Sequence, residues 1–291
     1  MLTFYSSFGQ LTFHLSKTPV ASYMNHLFCF FFLSLSILFL LRPTRARTII
    51  SMTMFCLAGL TRISLFIVAP LFLILTLAVA DRDWRCWPNR GTVQLGIGMG
   101  VIVVLSICLH LYLNYIRFGD IFEFGTAVVP ESMRGHPTYS SQYIWTNLWI
   151  YLASPVRYSL TPPFVRGARV GNAIWSYQFG VLIPLLVLAS KAGVIRARPV
   201  VVADGAQWRI GRLLLGLATI WVAYFVFLLF FRFTGEITFG GRYLLDTQPF
   251  LLLIILISYT VIRNQPAMRL FSVACLLLSG AVQILSPPML R

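Results

Sequence analysis

Residues 48–80 read TIISMTMFCLAGLTRISLFIVAPLFLILTLAVA, 33 residues with Arg62 as their only charge. As one helix they would extend about 50 Å, too long for a hydrocarbon core of about 30 Å. The stretch is therefore expected to form two short apolar spans that meet at Leu60-Thr61-Arg62. Six more runs of similar character lie on either side: Met24–Leu41, Gly91–Leu113, Ala173–Ser190, Leu213–Phe231, Tyr243–Ile262 and Ala267–Ser286. The expected fold is an all-α polytopic membrane protein of about eight transmembrane helices. It reads as a single membrane domain over residues 1–291.

Composition agrees. Hydrophobic residues make up 58% of the chain, charged residues 11%, and the mean hydropathy is +0.81. A soluble domain carries about 25% charge and 45–50% apolar residues. The same figures exclude a disordered chain, which is poor in apolar residues.

The net charge of +15 is carried almost wholly by arginine, since Lys17 and Lys191 are the only lysines. In a soluble protein such an excess points to nucleic acid. Here most arginines lie at the edges of apolar runs, where topology and lipid headgroups account for them, so membrane lipids are the expected partner and nucleic acid is not. The segments 42–47, 81–90, 191–212 and 263–269 hold 13 cations in 45 residues; the segments 114–172 and 232–242 hold 7 in 70. Cations accumulate on the cytoplasmic side, which puts the second group outside, in a bacterial inner membrane. Five unclustered cysteines suggest neither a disulfide framework nor a metal knot.

The outer loop 114–172 is the largest soluble feature. It opens on Asn114-Tyr-Ile-Arg-Phe-Gly, a stretch rich in Gly and aromatics that does not read as a plain helix. Further on, Trp145, Leu148, Trp149 and Leu152 fall at i, i+3, i+4 and i+7, one helical face. Its tryptophans suit the boundary between water and lipid, so the loop is expected to carry an interfacial helix ended by Pro155, Pro162 and Pro163.

Soluble catalytic motifs are missing: there is no HExxH, no CxxC pair and no GxSxG, and the four histidines are scattered. Gly96 and Gly100, at i and i+4, read as a close helix contact. Arginine placement stands out instead. Arg62 and Arg242 each begin an inward-running span, where free N–H groups and the macrodipole attract anions. Arg117 and Arg232 end outward-running spans at the same depth. Four arginines at one level can hold a phosphate or pyrophosphate whose lipid tail lies between helices; the plainer reading is that they snorkel to ordinary headgroups. Among the carboxylates, Asp120 and Glu123 could act as a base or bind a divalent metal. Asp246 reads more simply as a helix cap or a partner of the arginines.

Three segments carry a resemblance: Phe55-Cys-Leu-Ala-Gly-Leu-Thr-Arg-Ile-Ser64, Asn114-Tyr-Ile-Arg-Phe-Gly-Asp-Ile-Phe-Glu-Phe-Gly125 and Gly241-Arg-Tyr-Leu-Leu-Asp-Thr-Gln-Pro-Phe250. In this order they resemble the bacterial GT-C glycosyltransferases, specifically the family-39-like group that includes dolichyl-phosphate-mannose mannosyltransferase relatives. The resemblance runs from about Met24 to Ser286. It implies a polyprenyl-phosphate-linked sugar donor at the outer face, with Arg242 and Arg62 on the carrier phosphate. That family usually carries its catalytic acid in the first outer loop, and residues 1–23 contain no Asp or Glu. The chain is therefore expected to correspond to the later part of such an enzyme, with little transfer activity alone unless Asp120 or Glu123 substitutes. The alternative is a non-enzymatic membrane protein that binds or transports a polyprenyl lipid.

Overall fold

Arg62 breaks the helix that surrounds it. The computed structural model describes residues 21–41, 43–80, 90–122, 137–154, 157–160, 165–166, 173–176, 179–191, 204–231, 246–262 and 266–285. Within them the chain is nearly all helical: α1 (Ala21–Leu40), α2 (Arg45–Thr61), a 3-10 segment (Ile63–Val68), α3 (Ala69–Ala80), α4 (Arg90–Phe118), α5 (Ile144–Ala153), α6 (Leu182–Lys191), α7 (Asp204–Leu229), α8 (Gln248–Ile262) and α9 (Pro266–Leu285). A two-residue antiparallel ladder, β1 (Arg157–Tyr158) with β2 (Val165–Arg166), follows α5. The chain divides into two compact units, Phe28–Tyr139 and a second formed by Met1–Leu27 with Ser140–Arg291.

In the Phe28–Tyr139 unit, Thr44 caps α2 through its side chain, and Arg62 closes it at φ −143° and ψ 89°. The chain then folds back as 3-10 and α3. Phe55 and Phe72 stack at 4.3 Å, with their rings 10° from parallel. Ser36 and Ser51 lock α1 to α2 reciprocally, each hydroxyl donating to the other's carbonyl at 2.7 and 2.8 Å. Such pairs satisfy polar groups where lipid offers no partner.

Gly59 makes the fold-back possible. A Cβ there would lie 2.6–2.9 Å from three carbons of the Phe66 ring, whereas one at Gly98 on α4 meets nothing within 4 Å. Gly59→Ala should therefore destabilise the protein by about 1–2 kcal/mol, because overpacking by about 1–3 kcal/mol exceeds the gain of up to about 1 kcal/mol in helix propensity. Gly98→Ala should stabilise it slightly. Thermal unfolding in micelles separates the two; equal midpoints would mean that Phe66 does not press on Gly59. Gly96 has the close neighbour its spacing suggested, Leu77 at 3.3 Å from its would-be Cβ, but Gly100 faces open space.

Two boundaries differ from the sequence reading. The helix α4 runs through Asn114–Phe118, and Gly119, at φ +73°, stops it by donating its N–H to Tyr115 O at 2.8 Å. A left-handed residue of this kind ends helices and is cheap only for glycine. The run Ala173–Ser190 is not one helix: Ile174–Ser176 and Phe179–Val181 are 3-10, and α6 contributes ten residues. Among the described residues, three helices are long and apolar enough to cross a membrane, Ile63–Ala80, Arg90–Phe118 and Gly211–Leu229. Shorter apolar helices lie at Asn25–Leu40, Phe179–Leu188, Gln248–Thr260 and Pro266–Ser279.

The other unit packs α5 to α9 around Tyr151, Tyr224, Phe250, Leu217 and Ile255, all at most 1% exposed. Trp221 stacks on Phe225 at 5.5 Å, and Tyr151 meets Phe225 edge-on at 5.6 Å.

Candidate functional site

Buried charge is expensive in an apolar bundle and survives only with partners. The unit containing α7 and α8 holds such a group. Asp246, two residues before α8, is fully buried. Its Oδ1 lies 2.6 Å from Nδ1 of His26 on α1, and its Oδ2 accepts from the Tyr224 hydroxyl on α7 at 2.9 Å. His26 is 2% exposed and Tyr224 not at all; the next two residues, Thr247 and Gln248, are also buried.

The chemistry follows from the donor inventory. An ionised carboxylate only accepts, so opposite an ionised Asp246 it is Nδ1 of His26 that carries the proton. A short His–carboxylate contact fixes the orientation of the ring. The arrangement joins α1, α7 and the start of α8 at one point.

Of the candidate phosphate-binding and catalytic residues, Arg62, Arg117 and Asp120 are described, and all three fall in the Phe28–Tyr139 unit. Arg62 occupies the break between α2 and the 3-10 segment, half-buried, its N–H donating to Ala58 O at 3.0 Å. Arg117 is exposed in the last turn of α4, where a cation suits the helix dipole. Asp120 is exposed, and its Oδ1 accepts from Phe122 N at 2.9 Å, a local turn contact. Glu123, Arg232 and Arg242 lie outside the described residues. No group of three or more His, Cys, Asp or Glu among the described residues is placed to hold a metal.

Asp246 was legible as a residue at a helix start; its partners were not. His26 and Asp246 are 220 residues apart. The signal available was depth. His26 lies near the start of one apolar run, Tyr224 near the end of another and Asp246 at the start of a third, which is one level if spans alternate in direction.

The opposite end of the logic is seen at α7's carboxyl end. Asn147 of α5 aims its amide at that end and donates to Phe231 O, Leu229 O and Leu228 O at 2.7, 2.9 and 3.3 Å. Ser140 N donates to Phe230 O at 2.9 Å, and Phe230 N closes on Phe227 O at 3.2 Å. The carbonyls that a helix end leaves without internal partners thus find donors here.

No family model matches the chain, and no match is found among curated proteins or solved structures.

Proposed function

We propose that the chain is an eight-span inner-membrane protein that holds a polyprenyl-phosphate-linked sugar at the outer face, in the manner of the GT-C glycosyltransferases it resembles. The loop 114–172, with its interfacial helix, lies on that same outer side. The observation that carries the reading is the grip of His26 and Tyr224 on Asp246. It fixes the chain just before α8. Arg242, after Gly240-Gly241, precedes that fixed point by four residues in the sequence. A guanidinium fork can make two charge-assisted hydrogen bonds to one phosphate, whereas lysine offers a point charge.

Purified full chain in nanodiscs, titrated with polyprenyl phosphate, tests this reading. Arg242→Ala should weaken binding about tenfold or more, since a hydrogen bond to a charged group contributes about 1.5–3 kcal/mol. Arg242→Lys should lose less. Arg263→Ala, at the far end of the same span, should change little. Equal and small effects at Arg242 and Arg263 would mean that these arginines only meet ordinary headgroups.

A further inference from the structure

We draw no further inference here: the strongest candidate, the cavity of about 200 Å³ lined by Thr44 and Arg45 at the start of α2, Leu77 and Ala80 at the end of α3 and Thr92 and Leu95 at the start of α4, rests on two helix N-termini and an exposed arginine, and nothing in the structure shows what fills it.

Discussion

Asp246→Ala is expected to cost about 3–5 kcal/mol of unfolding free energy, the range for breaking a buried pair by removing one partner. The loss is large because the partners stay behind: His26 is 2% exposed and Tyr224 is fully buried, and each would lose this acceptor in a desolvated site. Asp246→Asn keeps the shape and one acceptor, so it should cost less. Tyr224→Phe removes one neutral donor to a charged group and should cost about 1.5–3 kcal/mol. Unfolding in mixed micelles with rising denaturing detergent gives the order Ala, then Asn or Phe, then native. An alanine variant within about 1 kcal/mol of the native chain would mean that the carboxylate is not desolvated as its burial implies.

Asn147 provides the second large effect. One amide serves three carbonyls at the end of α7, so Asn147→Leu should cost about 2–3 kcal/mol. Asn147→Asp is nearly isosteric and more informative. It replaces the donor by an acceptor-only group facing carbonyl oxygens, and should be at least as damaging as leucine. The same unfolding measurement applies, and an aspartate variant as stable as the native chain would show that the amide is not the donor.

How far the sequence could be read depended on the range of the interaction. The break at Arg62 was legible because a lone charge in 33 apolar residues leaves a long helix no acceptable depth. The face of α5 was legible because periodicity is local: Trp145, Trp149 and Leu152 share one side, and that side is exposed. The extension of α4 to Phe118 was missed because aromatics lower helix propensity only slightly; the actual stop is Gly119, one residue later, through its positive φ. The run Ala173–Ser190 is apolar enough for a span, yet hydropathy does not register the 3-10 turns that interrupt it. The grip on Asp246 spans 220 residues and depends on the relative depth of three helices, which no local pattern records. Arg232 and Arg242 were chosen for their level in the membrane and Glu123 for its place beside Asp120 in the outer loop, and all three fall outside the described residues.

The claim that matters most is that a polyprenyl phosphate binds beside the start of α8. A photoreactive polyprenyl phosphate, irradiated with the full chain in nanodiscs and mapped by peptide mass spectrometry, tests it directly. The account predicts adducts on the end of α7 and the start of α8, competed by unlabelled polyprenyl phosphate and lost in Arg242→Ala. Adducts spread along the exposed face of α4, indifferent to competitor and to Arg242, would contradict it.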